Sequence, residues 1–467
     1  MSVLEEVEIQ PATAGNGFRG VVDRRPYWCI SRQRVWGTFI PVIYSSQGDI
    51  VISQELLERY KHLVDTHGTA FWWELSLEEI LSGTSYSPAE HSREGLDIMD
   101  IWLDSGLSWS CVLAGQTADV YCEGLDQFSG WFYSSLLTSV ALTGRAPYKK
   151  VFVHGFTLDE NGNKMSKSLG NVISPQDVIV KKSLGVDVMR WWVAKHASSS
   201  TSVSVSNSIL LACKADMDRM RNCLRFLLGQ ISGLGEDFES CDYKDLVLLD
   251  KLVLYNLSCY SQSVEQHYEK MEYSKVCLST LQFLSWLSSD FLSLSKDRLY
   301  CEAGDSPARL SGLSTILDLT RTVTAILAPV LPHLTEEVAL SCPVLASPFR
   351  QGWTSHPAWA ADPALGDVST SLERIREELN KMEGVKVAES LVDIKVPERV
   401  FQRLEGVAGV EMAEVLGVLS ARVEVGQREE VVEVRRSEAG SCLRCRRLVA
   451  SPGQELCDRC RRVVEML

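Results

Sequence analysis

At 467 residues, 45% hydrophobic and 23% charged, the chain is too long for one compact core and has the balance of a soluble globular protein of about three domains. No apolar run approaches the ~20 residues needed to cross a bilayer, which excludes a helical membrane span. A formal net charge of −14 argues against nonspecific polyanion binding by the whole surface, while a local basic face stays compatible with nucleic acid.

Fourteen cysteines lie singly in apolar stretches, except for two tight pairs near the C-terminus. That usage points to a reducing compartment with one metal site, not to a disulfide framework. Met1 to Glu8 is acidic and lacks the arginine-rich amphipathic pattern of a transit peptide. Either the protein is cytosolic or its true N-terminus lies elsewhere.

In chain order, residues 1–22 read as a short strand, Leu4 to Ile9, and a loop with Gly15 and Gly17, too little to form a core. Arg24 to Gly37 interleaves four arginines with Trp28 and Trp36 before the β-rich run Phe39 to Tyr44. Such a stretch either binds phosphate and stacks on bases or is a hinge whose arginines pair with local carboxylates, and composition leaves both open. After Asp97 to Gly106 and the strand-like Asp119 to Cys122 comes Glu123-Gly124-Leu125-Asp126-Gln127. A carboxylate, a glycine that permits close backbone approach and a carboxylate/amide pair at a strand end form a cradle for a ribose and an α-ammonium group. An apolar helix runs from Trp131 to about Leu142, and a strand resumes at Val151. This βαβ unit predicts a parallel, doubly wound sheet with its ligand crevice at the carboxyl ends of the strands. Beyond the turn 159–163 lies Lys164-Met165-Ser166-Lys167-Ser168. Two ammonium groups with hydroxyls on a loop after a strand suit a polyphosphate, the alternative being a solvated basic turn.

Four strings in register, WCISRQRVWG at 28–37, DIWLDSG at 100–106, EGLDQFSGWF at 123–132 and KMSKS at 164–168, resemble the C-terminal half of the catalytic domain of a class I aminoacyl-tRNA synthetase. The run Arg34 to Pro41 is similar to the isoleucyl family in preference to the valyl, and Arg145 to Lys149 and Asp297 to Glu302 resemble its mitochondrial branch. The resemblance implies an α/β Rossmann-like catalytic half over 23–204 and ATP-dependent activation of isoleucine followed by transfer to tRNA-Ile. Within it Glu123, Gly124, Asp126 and Gln127 would hold the aminoacyl-adenylate, and His154 would lie beside the adenine. Met165, Ser166 and Ser168 would flank Lys164 and Lys167, the catalytic lysines that steady the phosphates of ATP with its Mg2+. Trp102 and Trp131 would wall the isoleucine pocket. Ordinary core packing is the alternative for the tryptophans, and a satisfied strand histidine for His154. Phe128-Ser129 departs from the family, many of whose members carry more polar residues there. The HIGH motif is absent, and of the editing domain only 1–22 resembles a remnant, its exit. The chain therefore reads as a fragment, an isoform or a partial gene model, inactive as it stands. A non-catalytic tRNA-binding fragment, or a valyl- or leucyl-type synthetase, is the alternative. The implied setting is a monomer in the mitochondrial matrix, otherwise the cytoplasm, with tRNA-Ile and isoleucine as partners and no membrane.

Gly185 to Trp192 reads as the helix that ends the catalytic half, and the serine-rich Ser198 to Ser208 as a linker at a domain boundary. Beyond it the hydrophobic period becomes helical. One face is Met220, Leu224, Leu227 and Ile231; a second is Leu248, Leu252, Tyr255 and Cys259; a third runs from Val276 to Leu294. Leu313 to Leu327 makes a fourth, closed by Pro329 and Pro332. This predicts an all-α bundle over 205–345. By resemblance it is an anticodon-stem-binding domain, with Arg219, Arg221 and Arg225 as phosphate contacts or as solvated surface arginines. Residues 346–436 read as a small α/β connector: a loop from Gly352 to Trp359, an amphipathic helix Leu372 to Met382, and strands Leu391 to Val396 and Ala421 to Val425 flanking a helix Pro397 to Leu404. Over 437–467, Cys442, Cys445, Cys457 and Cys460 form two CxxC knuckles whose spacing suits a tetrahedral, all-cysteine Zn2+ site. The knuckle is expected to fold around its metal independently of the bundle. Arg444, Arg446 and Arg447, with Arg459, Arg461 and Arg462, crowd around it and suit an RNA backbone.

Overall fold

The structure is a computed structural model that describes residues 2–25, 27–93, 97–198, 200–353, 359, 364–426 and 431–466. It divides into two units, Met1–Thr157 with Ser199–Val203, and Leu158–Ser198 with Ser204–Leu467.

The first unit is built on β1 (Glu8–Gln10), α1 (Gly15–Arg24), α2 (Ile101–Gly106), β2 (Ala118–Gly124), α3 (Trp131–Thr143) and β3 (Tyr148–His154). β3 is central and runs parallel to β1 on one side and to β2 on the other. The expected βαβ unit is therefore present as β2-α3-β3. Val151 and Val153 alternate inward from β3 and are fully buried beneath Phe132 and Leu136 of α3. Tyr148 joins strand to helix by donating its hydroxyl to Phe132 O at 2.9 Å.

Residues 1–22 correct the sequence reading. They are a short helix Ser2–Glu5, the three-residue β1 and α1, not one strand and a loop. They also do not stand apart, because Leu4, Val7, Ile9 and Phe18 lie in the same core as Phe132 and Val151. Lys150 and Glu8 pair across β3 and β1 at 2.9 Å.

Between α1 and α2 a second small core forms. Ile43–Ser45 pairs antiparallel with Ile50–Val51 and with His91–Ser92, and Ser53 caps the helix Gln54–His67 by accepting from Leu56 N. Phe39, Leu56, Tyr60, Phe71 and Trp72 fill it, with Phe39 stacked on Trp72 at 4.7 Å. Sequence reading placed only a β-rich run there.

The second unit contains α4 (Val186–Trp192), then α5 (Asn207–Ile231), α6 (Leu248–Glu269), α7 (Tyr273–Ser289), α8 (Phe291–Cys301), α9 (Pro307–Leu327) and α10 (Pro332–Leu340). By contacts, residues 158–198 group with the bundle. The buried Asp187 of α4 accepts from Leu334 N at 2.7 Å and bonds His333 Nδ1 at 2.9 Å, capping the N-terminus of α10. Arg190 donates to Val330 O and Pro329 O, and Trp191 Nε1 to Asp216. The serine-rich stretch is no loose linker, since Ser202–Ser204 is a strand and Ser206 caps α5 through Ile209 N.

Two helix expectations shift. The third face is broken at Asp290 into α7 and α8. On α6 the buried stripe is Leu249, Leu252, Val253, Leu257, Tyr260 and Val264, while Cys259 is exposed. Of the loop Gly352 to Trp359, residues 354–358 lie outside the described ones; Trp353 packs back on α6, donating to Ser261 Oγ at 3.0 Å.

The connector is α11 (Ala364–Lys381), β4 (Ser390–Pro397), α12 (Glu398–Leu404), α13 (Gly409–Leu416), β5 (Ser420–Gly426) and β6 (Val431–Arg436). β4 is central, parallel to β5 and antiparallel to β6; α13 and β6 had no counterpart in the sequence reading. A small hairpin, Gly440–Ser441 with Leu448–Ala450, and α14 (Asp458–Glu465) close the chain. Among the described residues no helix is long and apolar enough to cross a membrane.

Candidate functional site

In the first unit β2 and β3 end side by side, with Glu123 opposite Val153 and Gly124 opposite His154. This puts Glu123, Gly124 and His154 on the carboxyl edge of a parallel sheet, where such folds keep their ligands. The Glu123 carboxylate stands 3.9 Å from His154 Nε2, and both side chains are about half exposed. A Cβ at Gly124 would stand 2.5 Å from Asp126 Oδ1, so a side chain there would turn the Asp126 carboxylate aside. Asp126 Oδ2 accepts from Gln127 Nε2 at 2.9 Å, while Gln127 Oε1 accepts from Trp131 N at 3.2 Å and so fixes the orientation of the amide. Trp102 lies over Gly130, where a Cβ would meet its ring at 2.8 Å. Six of the predicted residues thus meet in one place.

Trp131 turns elsewhere. Its Nε1 donates to Ser105 O and Ser108 Oγ, each at 3.0 Å, and its ring stacks on Tyr121 at 4.1 Å. Its indole is thus held in place, and Trp131 is half-buried. In the arginine-tryptophan stretch Arg32 pairs with Asp100 at 2.6 Å and Trp28 Nε1 donates to the same oxygen at 2.9 Å, while Gln33 donates to Asp97. Val35 and Trp36 are exposed. Asp100 also caps α2 through Trp102 N at 3.3 Å, so one buried carboxylate sets the start of the helix that carries Trp102. Sequence reading did not single it out; the signal was its place just before Ile101-Trp102, the position of a cap.

The lysine loop belongs to the second unit. Asp159 accepts from Asn161 N and Asn163 N, at 2.9 and 2.8 Å, and Gly162 takes φ +80° to close the turn. Asn171 clamps the loop, donating to Asp159 Oδ2 at 2.8 Å and accepting from Ser166 N at 2.9 Å. These donors, Asn171 foremost, hold the Asp159 carboxyl below its usual range. Ser166 Oγ lies 3.1 Å from Ser168 Oγ and accepts from Leu169 N. Lys164 and Lys167 are exposed around Met165, on a loop whose backbone is tied down.

The predicted RNA contacts divide. Arg221 is engaged by Glu337 through two bonds of 2.9 Å, and Arg219 is bonded to Asp216 yet 70% exposed; Arg225 is exposed. Around the knuckle Arg444 donates to Cys301 O, Arg447 to Asp297 at 3.1 Å and to Val418 O, and Arg459 to Asp297 and Glu302. Those three fasten the knuckle to the end of α8, a correction to their reading as an RNA surface. Arg446 and Arg462 are exposed.

The four cysteines Cys442, Cys445, Cys457 and Cys460 present sulfurs all within 4.8 Å of one another and could hold a metal ion. Zn–S bonds of about 2.3 Å in a tetrahedron space sulfurs about 3.8 Å apart. Cys445 Sγ and Cys457 Sγ are 4.0 Å apart, and Cys442 Sγ accepts from Cys457 N at 3.4 Å, so the set fits a closed thiolate site.

Comparison with known proteins agrees with this layout. The family model described as tRNA synthetases class I (I, L, M and V) matches residues 1–206, and that of the anticodon-binding domain of tRNA ligase matches 250–392. The chain belongs to the class I tRNA synthetases. Within that class it is 37% identical to the mitochondrial isoleucine-tRNA ligase of Macaca fascicularis over 99% of its own length and 52% of the relative's. To the same-named protein of Mus musculus it is 39% identical, over 86% of this chain and 42% of that one. The chain thus spans about half the length of these curated relatives, and the isoleucyl resemblance of its motifs is borne out. A solved ternary complex, LeuRS-tRNA-LeuAMS from Agrobacterium radiobacter K84, shares the fold with a TM-score of 0.53 at 18% identity, over 78% of this chain and 43% of that one.

Proposed function

We propose that this chain supplies the adenylate cradle, the lysine loop and the tRNA-binding part of an isoleucine-tRNA ligase that works in mitochondria. The reaction is ATP-dependent activation of isoleucine followed by transfer to tRNA-Ile. The observation that carries it is the meeting of Glu123, Gly124, Asp126, Gln127 and His154 at the carboxyl edge of the sheet, in a chain similar along 99% of its length to a mitochondrial isoleucine-tRNA ligase. Glu123 and Asp126 would hold the α-ammonium and ribose groups, His154 would lie beside the adenine, and Lys164 and Lys167 would neutralise the phosphates of Mg-ATP. Catalysis of this kind rests on positioning and charge, with no covalent enzyme intermediate. The cysteine site would take zinc in a structural role, since four thiolates leave no position for water.

The test is isoleucine-dependent ATP-pyrophosphate exchange, run with this chain and with a protein extended to the length of the relatives. The extended protein should exchange with isoleucine and charge tRNA-Ile, whereas the 467-residue chain should bind tRNA without exchanging. Exchange with leucine or valine in preference to isoleucine would overturn the assignment.

A further inference from the structure

Four of the fourteen cysteines make the knuckle, and a fifth shares its core. Cys301 ends α8, is 7% exposed and packs in one small core with Cys442, Cys457, Cys460 and Ala450. Its sulfur is not one of the four that lie within 4.8 Å of one another, so it stands just outside the tetrahedron. Among the described residues these five and no sixth cysteine enter that core, Cys445 packing at its edge. Two ties set Cys301 beside Cys460 in particular. One guanidinium nitrogen of Arg444 donates to Cys301 O at 2.5 Å and to Cys460 Sγ at 3.7 Å, so a single atom joins the backbone of one residue to the sulfur of the other. Their chain neighbours pair as well, Arg459 donating to Glu302 at 3.0 Å. One turn back on α8, Asp297 takes Arg447 and Arg459, at 3.1 and 2.8 Å. The end of α8 is thereby held in register with the first turn of α14, which carries Cys460. Cys460 is also the ligand most open to replacement. Among the described residues its sulfur alone of the four accepts from a charged side chain, and such a donor draws off electron density that a thiolate gives to a metal.

We propose that Cys301 is a fifth ligand of this site and takes zinc in place of Cys460 whenever Cys460 leaves the metal. The set Cys442, Cys445, Cys457 and Cys301 keeps four sulfur ligands, and with them the preference for a soft, tetrahedral ion. It also keeps the charge. Cys301 gives up its thiol proton as Cys460 takes one up, so Zn2+ with four thiolates is a dianion in either set. What changes is the attachment. With Cys460 the metal closes a loop within the knuckle; with Cys301 it bridges the knuckle to α8, alongside Arg444, Arg447 and Arg459. The inference rests on the reading of the four knuckle cysteines as a zinc site, and goes beyond it by adding a ligand from the bundle.

The test uses the full 467-residue chain, expressed with ample zinc, and counts zinc per chain by elemental analysis. Wild type and Cys301→Ala should each hold about one equivalent, and so should Cys460→Ser. Cys457→Ser and the double variant Cys460→Ser with Cys301→Ala should hold less than about half. With cobalt in place of zinc, Cys460→Ser should keep the sulfur-to-metal charge-transfer intensity of four thiolates, and the double variant should lose it. Cys301→Ala also probes the site with all four knuckle cysteines intact, because a sulfur that stands ready to rebind slows release. Zinc should pass from it to a chromogenic chelator about ten- to a hundredfold faster than from wild type, the loss typical of residues just outside a ligand shell. Release from Cys301→Ala at the wild-type rate would overturn the fifth ligand and leave the four-cysteine site standing. So would a folded Cys460→Ser that holds no more zinc than Cys457→Ser. A wild-type chain without zinc would overturn both readings.

Discussion

A methyl group at position 124 would collide with a carboxylate: its carbon would lie 2.5 Å from Asp126 Oδ1. Gly124→Ala must therefore push the Asp126 carboxylate aside or bend the end of β2, and Gln127, which donates to that carboxylate, must follow. Displacement of a positioning group by an ångström can cost about a hundredfold in rate. In the extended protein the variant should lose about that much isoleucine-dependent exchange while its melting temperature changes little, because the cradle is at the surface. Undiminished exchange would show that the cradle does not hold the adenylate. Lys167 offers a separate probe, since its loop is fixed by Asn171 whether or not the lysine is present. Lys167→Ala should cost about 2–4 kcal/mol of transition-state stabilisation with isoleucine affinity unaltered. An unchanged rate would make the loop a solvated basic turn.

At the scale of elements, the connector is locked to the bundle by one buried guanidinium. Arg298 of α8 binds Asp250 of α6, the carbonyl of Ala308 at the start of α9, and Glu414 of α13 at 2.6 Å. Burial drives the Glu414 carboxyl up to about 7, against the pull of Arg298 and with Asp250 and Asp297 adding their repulsion. A folded-state value above the ordinary 4.5 means that the native protein holds this proton more tightly than the unfolded chain. The corresponding stability is complete below about pH 4.5 and is lost as pH rises through 7, an effect on the order of 2–3 kcal/mol. Glu414→Gln mimics the protonated form, so at pH 8 it should be more stable than wild type and should lack the wild-type decline, which runs from about pH 4.5 to 7 and is read between pH 5 and pH 8. Urea midpoints at the two pH values check this, and parallel declines would sink it. Much at this scale was legible in the sequence, and the rest had physical reasons not to be. The helix Trp131–Thr143 and the bundle helices announce themselves by their apolar runs and period. β1 is three residues long and pairs with a strand some 140 positions on, so no local pattern marks it. The break at Asp290 was hidden because the apolar spacing continues through it into α8. At the candidate site, residue types and spacing were enough to bring Glu123, Gly124, Asp126 and Gln127 together. They could not say that Trp131 spends its indole N–H on Ser105 and Ser108, or that Arg447 and Arg459 choose Asp297, because partners distant in sequence decide both.

For the molecule as a whole, the knuckle is not the independent appendage that its spacing suggests. Arg447 and Arg459 both converge on Asp297 of α8, at 3.1 and 2.8 Å. Although burial works against ionisation, these two guanidinium groups hold the Asp297 carboxyl below its usual range. If zinc holds the knuckle in shape, Cys457→Ser releases both arginines and leaves a mostly buried carboxylate unpaired, a loss on the order of 3–5 kcal/mol. Calorimetry should therefore show the bundle melting earlier in Cys457→Ser and in chelator-treated wild type, with about one zinc per chain in the untreated protein. A bundle transition unmoved by chelation would separate the two parts.

The cap that Asp187 provides for α10 carries a consequence for synthesis. Its backbone partner, Leu334, lies 147 residues further along the chain. A ribosome adding about 5–20 residues per second needs roughly 7–30 s to cover that distance. For that time the nascent segment 158–198, the lysine loop included, has emerged without the helix that fastens it. Chains arrested at Ala328 should be cut by protease at Lys181 or Lys182, and chains released at full length should resist; equal resistance would show that the segment anchors without α10. Birth order thus puts 147 residues of synthesis between Asp187 and the backbone N–H that it caps.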